Sequence, residues 1–237
     1  MGGRAGGGAR GGGGGAGGPA GPSAPSKPDT PAVPDKPEVP VTPETPSAGE
    51  AGSSPEGGAK DTRFIDLGAY AWAEDAINSL ADKGIIKGTS ENTFAPGNNI
   101  TRADFAILLV RAFEKTSDNA ENFSDVNAND YFAKELAIAR NTGLVGGMGD
   151  NKFAPKAFIK RCDMMLMVYR VIGDKLSKGD APKYSDFDDV PEYAKDAVSA
   201  LIGEGLVNGK GDKIAPNDNT TRAEVAVLLK RILDYTK

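Results

Sequence analysis

Apolar side chains recur at helical spacing in six stretches of the chain after residue 63. They fall three and four positions apart, the spacing of one face of an amphipathic helix. The six stretches form three consecutive pairs. The first stretches of the pairs are Ala73, Ala76, Ile77 and Leu80; Phe132, Leu136 and Ala139; and Ala194, Ala197, Val198 and Leu201. Three come second: Phe105, Leu108, Leu109 and Ala112; Met164, Met167, Val168 and Val171; Val225, Leu228, Leu229 and Ile232. The pattern predicts an all-α fold of three helix-loop-helix units.

The same signals separate the two helices of every pair. The first helices are followed by glycines suited to the left-handed position after a helix end, at Gly84, Gly143 and Gly205. The second helices are preceded by prolines 59 and 61 residues apart, at Pro96, Pro155 and Pro216. Two amphipathic helices cannot bury both apolar faces alone, so we expect the three copies to pack together in a pseudo-threefold assembly.

Each copy begins with an aromatic residue and an aspartate two positions later. The openings are Phe64-Ile65-Asp66-Leu67, Phe123-Ser124-Asp125-Val126 and Phe187-Asp188-Asp189-Val190. Asp125, Asn127 and Asn129 also resemble the start of a calcium loop. However, Asp130 stands where that loop requires glycine, and Leu136 stands where it requires glutamate. We therefore expect no metal site there.

An arginine in the first turn of each second helix is unexpected. The helix starts read Thr101-Arg102-Ala103-Asp104, Lys160-Arg161-Cys162-Asp163 and Thr221-Arg222-Ala223-Glu224. Threonine with an acid three residues later resembles a capping box, which the second copy lacks. A cation in the first turn opposes the positive end of the helix dipole. Some other interaction must favour the arginine in all three copies.

These arginines have two interpretations. A guanidinium beside a helix N-terminus forms an anion site that fits a carboxylate, and an exposed arginine of this kind contributes little to stability. Alternatively, each arginine pairs with an acid of a neighbouring copy and braces the assembly. Arginines nine positions further on lie near predicted helix C-termini, where a cation is favourable, so we assign a structural role to Arg111, Arg170 and Arg231.

The chain before residue 64 differs in composition. It holds 17 of the 31 Gly and 11 of the 16 Pro, whereas every Phe, Tyr and Trp lies after residue 63. Such a segment cannot offset the entropy of ordering, so we expect a disordered Gly-rich segment over 1–18 and a Pro-rich linker over 19–63. Prolines recur every third residue from Pro19 to Pro46. This period matches polyproline II and predicts a stiff spacer about 90 Å long.

Charge and composition exclude several functions. Residues 64–237 carry 22 Lys and Arg against 26 Asp and Glu, which argues against nucleic-acid binding. The chain has no His and one Cys, Cys162, which excludes imidazole bases, Cys/His metal sites and catalytic triads with His. No apolar run reaches the roughly 18 residues of a membrane span. The N-terminus has no hydrophobic stretch for a signal peptide, and we expect a fragment or truncated gene product.

Residues 64–237 resemble the S-layer homology domains of bacterial surface proteins. The resemblance rests on the aromatic-x-Asp-Val opening, the Gly-Ile/Leu-Val step, Phe-x-Pro and Ile-Thr-Arg-Ala-Glu, in the same order in each copy. It implies repeats over 64–120, 121–180 and 181–237 that form a three-pronged spindle around a central helical bundle. It also implies grooves between repeats that hold a secondary cell wall polysaccharide, often through a pyruvylated amino sugar with a carboxylate.

The resemblance also implies which residues bind. The first-turn arginines would contact the acidic sugar, namely Arg102, Arg161 and Arg222. Three aromatic residues would form apolar walls, although core positions are the alternative for them: Trp72, Tyr131 and Tyr193. Three recurring glycines would either approach the sugar or form tight turns: Gly88, Gly147 and Gly209. Because Lys160, Cys162 and the methionines of the second copy depart from the pattern, we expect its groove, with Arg161, to bind most weakly.

Together these features predict a noncatalytic anchor at the bacterial cell surface that needs no cofactor. Acids in the repeats have capping explanations, and none forms the carboxylate pair that glycoside hydrolysis requires in all three copies. Two alternatives remain. One is a protein-binding or lattice-forming surface scaffold, and the other is the anchor part of a longer exported glycan-degrading enzyme. In either case an S-layer or cargo module would precede the linker.

Overall fold

Six α-helices and four short 3-10 helices make up the regular structure of the described residues, 63–180 and 182–237 of a computed structural model. The first helices of the repeats are α1 (Ala71–Asp82), α3 (Ala133–Asn141) and α5 (Lys195–Gly203). The second helices are α2 (Arg102–Ala112), α4 (Arg161–Ile172) and α6 (Arg222–Tyr235). This part of the chain has no β-strand, so the all-α prediction is confirmed. The predictions for the Gly-rich and Pro-rich segments lie outside the described residues.

Helices from different repeats pack in pairs. α2 packs against α3, α4 against α5, and α6 against α1. The second helix of each repeat therefore contacts the first helix of the next, and the last repeat closes on the first. The predicted apolar faces lie in one shared core, where Phe105, Leu136 and Leu229 are fully buried.

Three backbone segments just before the second helices are joined in a ring. The amide of Ile159 donates to the carbonyl of Ile100 at 3.0 Å, and the amide of Thr220 donates to Ile159 at 3.1 Å. The amide of Ile100 donates to Thr220 at 3.0 Å and completes the cycle. All three side chains are buried. Each repeat thus donates one of these hydrogen bonds and accepts one, which gives the pseudo-threefold arrangement a backbone basis.

Glycines follow the first helices as predicted. After α1, the amide of Gly84 donates to Ala81 and the amide of Ile85 donates to Leu80, which is the Schellman arrangement. Equivalent bonds follow α3 and α5. The φ angles are left-handed, at 70°, 75° and 70° for Gly84, Gly143 and Gly205. The helix ends are therefore set by these glycines.

An aspartate of each opening motif holds the loop before the second helix. In the second repeat, the carboxylate of Asp125 accepts hydrogen bonds from the amides of Phe153 and Ala154, at 3.0 and 2.8 Å. Burial acts to raise the pKa of Asp125, but these two amides lower it, and the net pKa lies below the ordinary value. The aspartate is therefore a loop cap in this repeat.

The opening motif of the third repeat differs from the prediction. The aspartate that accepts from the amides of Ile214 and Ala215 is Asp186, at 2.7 and 2.8 Å. Tyr184 therefore takes the place of Phe64 and Phe123, and the predicted opening at Phe187 is wrong. Phe187–Asp189 is a short 3-10 turn instead. The third repeat has two aromatic-x-Asp triplets three residues apart, and the pattern alone does not distinguish them.

One side chain in the hydrogen-bonded backbone ring differs from its equivalents in the other repeats. Thr220 is fully buried where the other repeats have Ile100 and Ile159, and its hydroxyl has no hydrogen-bond partner among the described residues. An unpaired buried hydroxyl costs about 1 to 3 kcal/mol, so Thr220→Val should raise the free energy of unfolding by about 1 kcal/mol. Denaturant unfolding measures the change, with Thr116→Val at an exposed position as the control. A lower midpoint for Thr220→Val would show that the hydroxyl is stabilising.

The helix pairing predicts that one repeat does not fold alone. Residues 64–120 contain α1 and α2, whose main partners, α6 and α3, belong to other repeats. A fragment of these residues should be mostly disordered, because both helices lose the surfaces against which they pack. Circular dichroism and thermal melting of the monomeric fragment test this expectation. A cooperative melting transition would show that the repeats are independent domains.

Candidate binding grooves between repeats

The first-turn arginine of α2 crosses from the first repeat to the second. Arg102 is 4% exposed, and its Nε donates to the carbonyl of Phe153 at 2.9 Å. Its guanidinium lies 4.7 Å from the centroid of the Phe153 ring, and its Nη1 donates to Asp163 Oδ2 at 2.8 Å. Burial lowers the pKa of Arg102, while Asp163 opposes that shift. Arg102 therefore braces the two repeats.

The other two arginines make the same kind of contact. Arg161 is also 4% exposed; its Nε donates to the carbonyl of Ile214 at 3.0 Å, and its Nη1 lies 3.5 Å from Glu224 Oε1. Arg222 donates from Nε to the carbonyl of Phe94 at 2.9 Å and lies 4.4 Å from the centroid of that ring. The predicted pairing with an acid of a neighbouring repeat is thus present for Arg102 and Arg161. Arg222 contacts its neighbouring repeat through backbone carbonyls and the Phe94 ring, without an ion pair among the described residues. The expectation of exposed first-turn arginines is wrong for Arg102 and Arg161, which are buried, and Arg222 is partly buried.

The N-terminal amides of the second helices are already bound. In α2, the amides of Arg102 and Ala103 donate to the carbonyls of Ala157 and Pro155 in the next repeat, at 2.9 and 3.0 Å. The third amide of this helix donates to the hydroxyl of Thr101. The first two amides of α4 and α6 donate to a neighbouring repeat in the same way. The predicted use of these amides in an anion site is therefore wrong.

Three aromatic residues predicted as groove walls are exposed. Trp72, Tyr131 and Tyr193 expose 59%, 71% and 61% of their surface, so the alternative of core positions is wrong. The Tyr131 hydroxyl donates to Asp104 Oδ1 and the Tyr193 hydroxyl donates to Asp163 Oδ1, both at 2.8 Å. Partial burial and Asp104 raise the pKa of Tyr131 to about 12, and burial and Asp163 raise the pKa of Tyr193 as well. Both hydroxyls therefore remain protonated at neutral pH.

Two open grooves lie where these arginines and aromatic residues meet. The Arg102 groove has a volume of about 420 Å³, and its lining includes Arg102, Gly146, Gly147, Asp163, Arg170 and Tyr193. The Arg161 groove has a volume of about 330 Å³, and its lining includes Trp72, Arg161, Asn208, Gly209, Glu224 and Arg231. Both volumes lie in the range of small-ligand sites, which begins at about 300 Å³.

A much smaller cavity lies beside Arg222, the first-turn arginine of the third repeat. Lys87, Phe94, Leu108 and Arg222 are among the residues that enclose about 20 Å³ there. This is room for about one water molecule.

The recurring loop glycines sit in tight turns. A Cβ on Gly147 would lie 2.8 Å from the carbonyl oxygen of Lys152 and 3.2 Å from the ring of Phe123. A Cβ on Gly88 or Gly209 would meet equivalent atoms at less than 3.0 Å. These contacts confirm the tight-turn interpretation. Gly147 and Gly209 also line the two open grooves, and their contact with a sugar stays a prediction.

Two arginines of the open grooves were not predicted as site residues. Arg170 and Arg231 line these grooves, although the sequence favoured a structural role near helix ends. The Arg170 guanidinium lies beside Gly146, with both Nη atoms 2.9 Å from where a Cβ would be. Spacing could have revealed them, since each follows the first-turn acid of its helix, Asp163 or Glu224, by seven residues and shares its face.

Three helical repeats with grooves between them define the class of this protein as a repeat module with inter-repeat sites. Three segments of the chain match the family model described as the S-layer homology domain, at residues 63–106, 122–165 and 183–226. The chain belongs to this family. Its repeat region is a non-catalytic anchoring module of the cell surface. Among the described residues, no helix has the length and apolar character needed to cross a membrane.

The relatives include surface-layer proteins and enzymes. The S-layer protein of Bacillus licheniformis is 33% identical over 166 residues, which are 69% of this chain and 19% of that protein. S-layer protein EA1 of Bacillus anthracis is 32% identical over 166 residues, with the same coverage of 69% and 19%. Amylopullulanase of Thermoanaerobacterium thermosulfurigenes is 30% identical over 169 residues, which are 69% of this chain and 9% of that enzyme. The chain thus spans less than a fifth of the length of each.

The brace predicts a loss of stability when Arg102 is removed. Arg102→Ala should lower the free energy of unfolding by about 3 kcal/mol, because Asp163 and the Phe153 carbonyl lose a buried partner. Arg170→Ala removes an exposed arginine from the same groove and should change it by less than about 0.5 kcal/mol. Denaturant unfolding of both variants gives the comparison. Equal stabilities would contradict the brace.

Proposed function

We propose that the three repeats anchor the protein to a bacterial cell wall by binding an anionic secondary cell wall polysaccharide. One observation carries this proposal: in the Arg102 groove, Arg170 and the exposed ring of Tyr193 line the same open space. A flat aromatic ring packs against the apolar face of a sugar, and a guanidinium pairs bidentately with a carboxylate. The two groups together fit a sugar that carries an acid.

The acid that we propose is the carboxylate of a pyruvyl ketal on an amino sugar. In the two open grooves, we assign ligand contacts to the predicted residues Arg102, Arg161, Trp72, Tyr193, Gly147 and Gly209. The equivalent predicted set around Arg222 comprises Arg222 itself, Tyr131 and Gly88. Arg102 retains one terminal nitrogen, Nη2, without a hydrogen-bond partner among the described residues, and this atom is available to a ligand.

The carboxylates of the open grooves support binding rather than hydrolysis. Asp163 is the one acid that lines the Arg102 groove, and Glu224 is the one acid that lines the Arg161 groove. Each of them pairs with the first-turn arginine. Glycoside hydrolysis generally uses two carboxyl groups on either side of the scissile bond. A single carboxylate already paired with arginine suits a site that holds a sugar.

A larger protein is the natural setting for such an anchor. The named relatives comprise S-layer proteins and an amylopullulanase, and the shared region is a small part of each. We propose that the Pro-rich linker, residues 19–63, separates the wall-binding repeats from an S-layer or cargo module at the cell surface. The competing function is a protein-binding scaffold, which the following experiment separates from polysaccharide binding.

Cosedimentation with purified cell wall stripped of protein tests the proposed function. The chain should bind this wall, and mild acid treatment that removes pyruvyl ketals should reduce binding at least about tenfold, because the carboxylate is lost. Wall treated at neutral pH under otherwise equal conditions is the control. Equal binding before and after ketal removal would contradict the carboxylate mechanism. Binding that requires wall protein would favour the scaffold.

A further inference from the structure

The hydrogen-bonded backbone ring has an outward face. Three antiparallel bridges join the residues that flank the buried positions 100, 159 and 220: Asn99 with Thr221, Thr101 with Phe158, and Lys160 with Asn219. Successive side chains of an extended backbone point to opposite sides, so residues that flank a buried position point away from the core. These six residues are all exposed or partly exposed. We call the surface that they form the ring face.

The second repeat changes the chemistry of the ring face. The first and third repeats each place one asparagine and one threonine there, whereas the second repeat places Phe158 and Lys160. Phe158 is 51% exposed. All nine phenylalanines of the chain lie among the described residues, and the other eight are buried or partly buried. One repeat therefore presents an aromatic ring where its two equivalents present amides.

Two lysines flank this aromatic ring in the sequence. Lys156 and Lys160 are exposed, and neither side chain forms an ion pair with another described residue. The equivalent positions of the other two repeats hold no charged side chain. Asp218, which lies next to Asn219 of the ring face, is itself 3.4 Å from the ammonium group of Lys210. The ring face is therefore cationic on the side of the second repeat.

Lys160 takes a position where threonine would stabilise the helix. The hydroxyls of Thr101 and Thr221 accept hydrogen bonds from the third amides of α2 and α6, at 3.1 and 3.3 Å. Lys160 provides no such bond to α4, because an ammonium group cannot accept one. The loss of a cap destabilises a helix. A binding role for Lys160 on the ring face would offset this loss.

The ring face borders the first-turn arginines and lies outside the open grooves. Arg161 follows Lys160 directly, and Arg102 follows Thr101, the bridge partner of Phe158. No residue of the ring face lines the Arg102 groove or the Arg161 groove. A polysaccharide chain held in a groove of about 420 or 330 Å³ continues beyond that groove. Its next sugars can reach the adjoining surface.

The side chains of the ring face fit a polysaccharide better than a membrane. An aromatic ring packs against the apolar face of a sugar, and the ammonium group of a lysine pairs with an acidic group. Asn99 and Asn219 add amide groups that can exchange hydrogen bonds with sugar hydroxyls. Insertion into a bilayer would instead leave these amides unpaired, and one phenylalanine offers little apolar surface for it.

We infer that the ring face is a second contact site for the wall polysaccharide, in which Phe158 packs against a sugar ring while Lys156 and Lys160 pair with acidic groups. This inference rests on the proposed function and adds to it a site outside the grooves, which the second repeat alone supplies. The site holds sugars of a chain that extends past the grooves. It therefore strengthens binding of the polymer and not of a single repeating unit.

The affinity of the full chain for two probes tests the inference. One probe is the polysaccharide released from protein-free wall, and the other is its single repeating unit. Phe158→Asn introduces the type of residue found in the other repeats and should weaken binding of the polysaccharide about tenfold, because the sugar loses the aromatic ring. Binding of the repeating unit should not change. The control Ile65→Asn removes another exposed apolar side chain and should affect neither probe.

Lys160→Thr separates binding from stability. Threonine should restore the cap of α4 and raise the melting temperature, as expected from Thr101 and Thr221. Affinity for the polysaccharide should nevertheless fall about threefold, because one cation is lost, and the loss should shrink at high salt. Lys156→Asn should weaken binding in the same way without the gain in stability. The control Lys134→Gln removes an exposed lysine of α3 and should leave binding unchanged.

The outcomes distinguish this inference from the proposed function. Unchanged polysaccharide affinity in Phe158→Asn or Lys160→Thr would overturn the inference alone. Equal losses for the polysaccharide and its repeating unit would also overturn it, because the residues would then act on the grooves. Failure of the unmodified chain to bind both stripped wall and the released polysaccharide would refute the proposed function and the inference together.

Two further measurements test other occupants of the ring face. The first is cosedimentation with vesicles of phosphatidylglycerol and phosphatidylcholine, and the second is sedimentation equilibrium of the chain alone. Vesicle binding or self-association that is lost in Phe158→Asn, with polysaccharide affinity unchanged, would assign the face to a membrane or to a second copy of the chain. Either result would overturn the inference. We expect neither vesicle binding nor self-association to depend on Phe158.

Discussion

The exchange of backbone hydrogen bonds between repeats is the constraint on which the rest of the structure depends. The first amides of a helix need acceptors from outside the helix. For α2, α4 and α6, the first acceptors are the carbonyls of Ala157, Asp218 and Asn98, each in a different repeat from the helix it serves. No repeat can complete its own second helix in this way. The grooves lie between the same segments, so backbone contacts set the positions of their walls.

The first-turn arginine joins this backbone arrangement to the grooves. A cation near a helix N-terminus is unfavourable by about 0.3 to 1 kcal/mol. In Arg102 this cost is offset by a charge-assisted bond to Asp163, a bond to the Phe153 carbonyl and a contact with the Phe153 ring. Asp163 in turn accepts from the Tyr193 hydroxyl. One arginine thus fixes an acid and an aromatic ring at the mouth of a groove.

Local signals predicted the helices well because they act within a few residues. The glycine stops, the apolar faces, the capping box of Thr221 and Glu224, and the missing side-chain cap at Lys160 all agree with the structure. Contacts between repeats were less predictable. Whether a first-turn arginine is buried depends on a loop some 50 residues away, as Arg102 shows with Phe153. Likewise, Arg111 and Arg170 look alike in sequence, and only the partner helix reveals that one of them faces Glu135.

The pairing of α1 with α6 has a mechanical consequence for an anchor. Tension applied at residue 63 acts first on the opening motif, where Phe64 is buried and Asp66 accepts hydrogen bonds from the amides of Phe94 and Ala95. It then acts on α1, whose main partner is the last helix of the chain. Force at one end of the sequence therefore acts on the contact between the first and last repeats, and α1 cannot separate from the fold without exposing α6. Repeats arranged as a linear array would yield one at a time from the pulled end. Because the repeats close on one another, the load is instead spread over the first and last repeats together.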